Sequence, residues 1–176
     1  PEQKEKDQLS NPVWHIHNGN PPREKVVMSF SMLLNLVGSS NTDDKKTLWK
    51  FINRFHKNAK PENNQILDSL TENAIKFFKD KLKPNKIYKK PSEQEKKALT
   101  NLANKIEKIR EDMPPEEIQT IVYSVGKENG YEENLRDWFK LIYQVLFGDI
   151  DGPRMGFFIS FFGVKETVKL IKNKIN

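Results

Sequence analysis

Two histidines one residue apart lie in the segment WHIHNGNPPREK, which runs from Trp14 to Lys25. On an extended segment alternate side chains share one side, so His15 and His17 could bind a metal ion together. A metal site needs three or four ligands, and the chain offers only one further histidine, His56, and no HExxH motif. The residues therefore predict no metal site, and packed or hydrogen-bonded histidines at the entry to a helix are expected instead.

The same segment could in principle hold the phosphates of ATP. Such a site needs a parallel sheet and a glycine-rich phosphate loop. The chain contains neither GxxxxGK(S/T) nor GxGxxG, and PVWHI is its only candidate strand. No cysteine is present, and no serine has a neighbouring base. The paired acids all fall at predicted helix starts, where the helix dipole accounts for them. We predict no catalytic residue.

A glycine-flanked turn is the most informative loop of the sequence. In GPRMG, from Gly152 to Gly156, two glycines enclose a proline and an arginine directly before a helix. Glycines allow a ligand to approach the backbone, and the start of a helix offers unpaired N–H donors. Arg154 could stack on a nucleic-acid base or donate a fork of hydrogen bonds to its edge. A tight interhelical turn with an arginine salt bridge explains the motif equally well.

Lysines are concentrated in two places. Seven lie within fifteen residues, interleaved with aromatic side chains, and three more share one face of the last helix. Such clusters can neutralise phosphates, but a solvated helix face explains the first one equally well. The first cluster is Lys76, Lys79, Lys81, Lys83, Lys86, Lys89 and Lys90, and the second is Lys165, Lys169 and Lys172.

The overall composition favours an anionic partner. The net charge of the 176-residue chain is +6, and only 36% of its residues are hydrophobic. No stretch reaches the roughly 18–20 apolar residues of a membrane span. The polar start PEQKEKDQLS is unlike a secretory signal, so a cytoplasmic protein is expected. The first residue is proline, which suggests a piece of a longer protein.

The apolar residues recur with helical periodicity almost throughout. A first helix is expected from Pro22 to Gly38, and others start at Asn41, Pro61, Ser92 and Pro114, the fourth reaching about Asp112. Three further helices follow, centred on Trp138, Phe158 and Val168. The inward residues of the second helix are predicted to be Leu48, Phe51, Ile52 and Phe55, and those of the third Ile66, Leu70, Ala74 and Phe77.

These patterns predict an all-α fold, a bundle or array of about seven or eight helices. We expect a lead-in segment over residues 1–20 and one helical domain over residues 21–176. A linker rich in turn formers near residues 83–91 could divide that domain into two halves.

Two blocks resemble the C-terminal region of class I lysyl-tRNA synthetases. They are VVMSFSMLLNLV (residues 26–37) and LIYQVLFGDIDGPRMGFFISFFG (residues 141–163), and WHIHNGNPPREK resembles the passage that leads into that region. The resemblance implies a helical cage that binds the anticodon of tRNA(Lys). It also implies an N-terminal Rossmann catalytic domain, absent from this chain, that joins lysine to tRNA with ATP and Mg. On this interpretation the near-match of WHIHNG to the HIGH signature is coincidental, and this chain alone needs no cofactor.

In the related glutamyl enzymes a similar glycine-containing turn lies at the anticodon. Carried over, this resemblance nominates four anticodon-binding residues, namely Gly152, Pro153, Arg154 and Met155. Tyr143 and Gln144 precede the turn on the sixth helix and are expected to point toward the same pocket. Lysines outside the pocket would contact phosphates without reading the sequence, and Lys165, Lys169 and Lys172 could do this or simply be solvated. The leading hypothesis is thus a tRNA-binding module without chemistry of its own. The alternatives are a helical protein–protein interaction scaffold and a stand-alone enzyme.

Overall fold

The structure is a computed structural model that describes residues 28–176, which form eight α-helices and no strand. The prediction of an all-α fold is therefore confirmed. The lead-in segment, the PVWHI segment and the first two histidines lie outside the described residues. The helices are α1 Phe30–Ser40, α2 Lys45–Phe55, α3 Gln65–Phe77, α4 Glu93–Ile106, α5 Pro115–Gly126, α6 Leu135–Leu146, α7 Met155–Phe162 and α8 Val164–Ile175.

Local sequence signals set two helix starts, although α2 begins at Lys45 rather than at the expected Asn41. Ser92 and Glu95 form a capping box, in which each side chain accepts a hydrogen bond from the other residue's backbone N–H. The Asp44 carboxylate accepts from the backbone N–H groups of Lys46 and Thr47 at the start of α2. Among the described helices, none is long and apolar enough to cross a membrane.

Helix α1 differs from the prediction at both ends. Ser29 is extended, and its hydroxyl accepts from the Met32 N–H at 3.2 Å, so the helix begins at Phe30. Gly38 does not end α1, which continues to Ser40. A Cβ added at Gly38 would lie 2.8 Å from the Phe78 ring, so glycine serves close packing there. Helix α4 likewise ends at Ile106, earlier than expected.

The buried stripe of α3 is rotated relative to the prediction. A 3-10 turn, Pro61–Asn63, precedes the helix, and a π-helical turn, Phe78–Leu82, follows it. These turns change the number of residues per turn, so periodicity counted from Pro61 selects the wrong neighbours. The side chains buried on this side are Leu67, Thr71, Ala74 and Phe78. Phe77, which was expected inside, is 44% exposed. Phe55 of α2 was also expected inside and is 39% exposed.

Helix α7 is the centre of the core. Six of the eight residues of MGFFISFF are buried, and α7 packs most extensively on α5. Gly156 allows this close crossing, because a Cβ there would collide with the Pro115 carbonyl oxygen. One hydrophobic cluster includes helices from both sides of residues 83–91. The fold therefore fixes the start of α7, and with it the turn that carries Arg154.

Candidate nucleic-acid interface

Tyr143 holds the turn between α6 and α7 in place. Its hydroxyl donates to the Pro153 carbonyl oxygen at 3.0 Å. The backbone of Gly152 lies so close to the Tyr143 ring that no Cβ would fit between them. The Tyr143 carbonyl also accepts the Phe147 N–H at 2.8 Å, where α6 ends. The half-buried Tyr143 side chain thus holds the turn at two points, by ring packing at Gly152 and by a hydrogen bond at Pro153.

Arg154 is exposed at the end of this turn. Its guanidinium carbon lies 5.8 Å from the centroid of the Phe157 ring. No carboxylate of residues 28–176 lies within 4.0 Å of it, whereas Arg54 pairs with Glu166 at 2.8 Å. Of the two explanations for GPRMG, the tight turn is present, but the salt bridge is not formed within the described part of the chain. The Arg154 donors therefore remain available to a ligand.

Other parts of GPRMG serve packing. The Gly156 N–H donates to the Oε1 atom of buried Gln119 at 2.8 Å, so this donor is not free for a ligand as the motif suggested. Met155 is fully buried because α7 inserts its apolar side into the core. Its side chain has no surface to offer a base, and we omit it from the proposed site.

Two surface hollows flank the turn, and Asp151 lines both. The first, of about 240 Å³, also contains Asn35, Lys86 and Gly152. The second, of about 420 Å³, contains Tyr143 together with Arg136 and Lys140. These two cations were not predicted from the sequence, although the spacing i, i+4, i+7 with Tyr143 places all three side chains on one face of α6.

The C-terminal part of the first lysine cluster, residues 86–90, lies beside the turn. The Lys86 ammonium, on a side chain only 13% exposed, pairs with Asp149 at 3.3 Å. The backbone N–H of Lys89 donates to the backbone carbonyl of Gln144 at 3.1 Å. The Gln144 side chain is half-buried and takes no part in this bond. Tyr88 packs against Gly148. The fold thus joins two motifs that are about sixty residues apart in the sequence.

The lysines of α8 lie elsewhere. Lys165, Lys169 and Lys172 line a separate hollow of about 550 Å³. Two of them face acids on the α4–α5 connection, since Lys172 pairs with Glu107 at 3.2 Å and Lys165 approaches Glu111 at 4.0 Å. Only Lys169 has no such pair among the described residues. This face is therefore more nearly neutral than its sequence indicated.

Tyr143 gives the turn a pH dependence. Burial raises the pKa of Tyr143 to about 12, and nearby Tyr123 and Asp151 oppose the phenolate further. The folded state therefore retains this proton more tightly than the unfolded state, whose pKa is near 10. The stabilisation is complete below pH 10 and is lost as the pH rises through 12.

We therefore expect the free energy of unfolding to fall more steeply between pH 10 and 12 in the unaltered chain than in Tyr143→Phe, which lacks the phenol. Urea unfolding at several pH values measures both slopes. Parallel slopes would show that folding of the turn does not raise the pKa of Tyr143.

The chain is similar over almost its whole length to proteins named lysine–tRNA ligase. That of Rickettsia bellii is 44% identical over 168 residues, 95% of this chain and 32% of the relative. That of Roseobacter denitrificans is 43% identical over 163 residues, 93% of this chain and 31% of the relative. This chain is a homologue of the C-terminal region of lysyl-tRNA synthetases. It spans about a third of the length of these relatives. No protein-family model and no solved structure matches it.

Proposed function

We propose that this chain is the anticodon-binding region of a class I lysyl-tRNA synthetase. It would orient tRNA(Lys) in the cytoplasm for ATP-dependent lysylation by an N-terminal catalytic domain outside this chain. The observation that carries the proposal is the exposed Arg154, which has no ion pair among the described residues and lies on a turn fixed by Tyr143. The all-helical architecture of residues 28–176 agrees with the helical cage implied by the class I resemblance.

The chemistry of the turn suits an unstacked uracil. The edge of uracil offers two carbonyl acceptors and one N–H donor, and a lysine anticodon is rich in uracil. Two N–H groups of the Arg154 guanidinium can donate to one of those carbonyl oxygens, and its plane can stack on a base. The cations of the flanking hollow, Arg136 and Lys140, would neutralise phosphates without reading the sequence.

Binding to an anticodon stem-loop tests the proposal. We expect the chain to prefer a stem-loop with the lysine anticodon over one with the same loop composition in scrambled order. The affinity should decrease as salt increases, because phosphate contacts release counterions. Equal affinity for the two stem-loops would contradict the proposal and favour a protein–protein scaffold instead.

We assign the chemistry to the whole enzyme and none to this chain. ATP and Mg would bind the catalytic domain, and the described residues contain no group of three or more histidines and acids able to hold a metal ion. The chain alone should therefore give no ATP–pyrophosphate exchange. Measurable exchange would show that it is an enzyme in its own right.

A further inference from the structure

An exposed aromatic surface lies at the end of α2. The Phe55 ring is 39% exposed and lies 4.8 Å, between centroids, from the Phe161 ring, which is only 3% exposed. The His56 ring meets Phe55 at 4.9 Å, and the half-buried Phe157 ring lies 6.1 Å from it. A buried ring thus supports an exposed one, so the exposed ring is held in a defined orientation. We call Phe55, His56 and Phe157 the aromatic platform.

The aromatic platform is continuous with the turn of the proposed anticodon site. Phe157 contacts Phe55, and the Arg154 guanidinium carbon lies 5.8 Å from the centroid of the same Phe157 ring. A nucleotide held at Arg154 therefore has a neighbouring aromatic surface within reach of the next nucleotide of the same strand. The surface and the turn are carried by different helices, α2 and α7, which the core packs together.

The segment that carries Phe55 is strongly basic. Residues 45–60 contain six lysines and arginines and no acidic residue. Lys45 pairs with Asp68 at 2.7 Å, and Arg54 binds Glu166 and the Phe162 carbonyl. The remaining four form no ion pair with any residue of 28–176. These four are Lys46, Lys50, Lys57 and Lys60.

We infer that the aromatic platform is a stacking site for an unpaired nucleotide of RNA, adjacent to the base bound at Arg154. This inference rests on the proposed function. An exposed ring on a segment that carries cations without ion pairs matches the chemistry of single-stranded nucleic acid, in which every base has a π-face and every nucleotide a negative charge. Stacking is tolerant of sequence, so the platform contributes affinity, whereas Arg154 contributes discrimination.

Variants of Phe55 test this inference. Phe55→Leu removes the ring but keeps an apolar side chain over Phe161, and Phe55→Trp keeps a ring. We expect Phe55→Leu to bind the lysine and the scrambled stem-loops about fivefold or more weakly, and by the same factor, because one lost stack costs about 1 kcal/mol or more. Phe55→Trp should restore the affinity. The matched control is Phe77→Leu, a similarly exposed phenylalanine that packs edge-on against Phe30.

A fluorescent adenine analogue, 2-aminopurine, placed beside the anticodon gives a direct readout. The unaltered chain should quench it by stacking, and Phe55→Leu should not. If Phe55→Leu keeps the affinity, the quenching and the preference for the lysine stem-loop, this inference alone is overturned. The aromatic platform would then be assigned to a protein partner. Loss of affinity in Phe77→Leu equal to that in Phe55→Leu would also overturn it. If the unaltered chain shows no preference between the stem-loops, the proposed function fails and the platform's role beside the anticodon fails with it.

Discussion

Arg154→Ala is expected to bind a lysine anticodon stem-loop about tenfold more weakly than the unaltered chain and to lose its preference over the scrambled loop. A forked contact to a base edge is worth about 1–3 kcal/mol of discrimination, and a tenfold change corresponds to about 1.4 kcal/mol. The folded state should be unaffected, because the Arg154 side chain is exposed and lies against the half-buried Phe157 ring. Fluorescence anisotropy with both stem-loops measures affinity and preference together.

Two further variants separate the shape of the side chain from its charge. Arg154→Lys keeps the positive charge but loses the planar fork, so it should recover part of the affinity and none of the preference. Arg110→Ala removes one charge from the α4–α5 connection, where the arginine is exposed and, among residues 28–176, pairs with Asp112 alone. It should change binding by no more than a general charge effect. A preference that survives in Arg154→Ala would show that the bases are recognised elsewhere.

Gly156→Ala is expected to give the largest loss of stability. A methyl group there would collide with the Pro115 carbonyl and would lie 3.0 Å from the Gln119 backbone nitrogen, so α5 and α7 must separate. Overpacking lowers the free energy of unfolding by about 1–3 kcal/mol. Losing the hydrogen bond from the Gly156 N–H to the buried Gln119 side chain lowers it by about 1–3 kcal/mol more. We expect a decrease of about 3 kcal/mol in the free energy of unfolding, measured by urea denaturation.

Ser160→Ala is the control on the same helix. Its half-buried hydroxyl donates to the Gly156 carbonyl one turn earlier and, within the described part of the chain, forms no hydrogen bond to another helix. This change should cost less than about 1 kcal/mol. If the two variants are equally stable, the contact between α5 and α7 is looser than the structure indicates.

The helices themselves could be predicted from sequence because caps and apolar periodicity are local signals. The capping box at Ser92 and the proline at the start of α5 gave starts that the structure confirms. The failures arose where the helical period changes. The π-helical turn after Phe77 makes Phe78 the buried residue, and a periodicity of 3.6 cannot anticipate that change. Gly38 resembled a helix end, but the contact that requires it comes from Phe78, forty residues later.

The candidate site could be predicted only in part. The turn follows from GPRMG, because a glycine-flanked Pro-Arg before an apolar helix is itself a local signal, but the motif left open whether Arg154 forms a salt bridge. The burial of Met155 and the bond between Gly156 and Gln119 depend on how α7 crosses α5, which the sequence does not reveal. The exposure of Phe55 was missed because its spacing matched a core stripe, although the acid-free basic segment around it was visible.

Crosslinking from the anticodon tests the central claim most directly. A stem-loop with the lysine anticodon would carry 4-thiouridine in place of each anticodon uridine in turn, and the crosslinked residues would be mapped by mass spectrometry. We predict crosslinks within residues 143–154, on the turn and the α6 face beside it. Crosslinks confined to the α8 face of Lys165, Lys169 and Lys172 would contradict the claim that the Arg154 turn binds the anticodon.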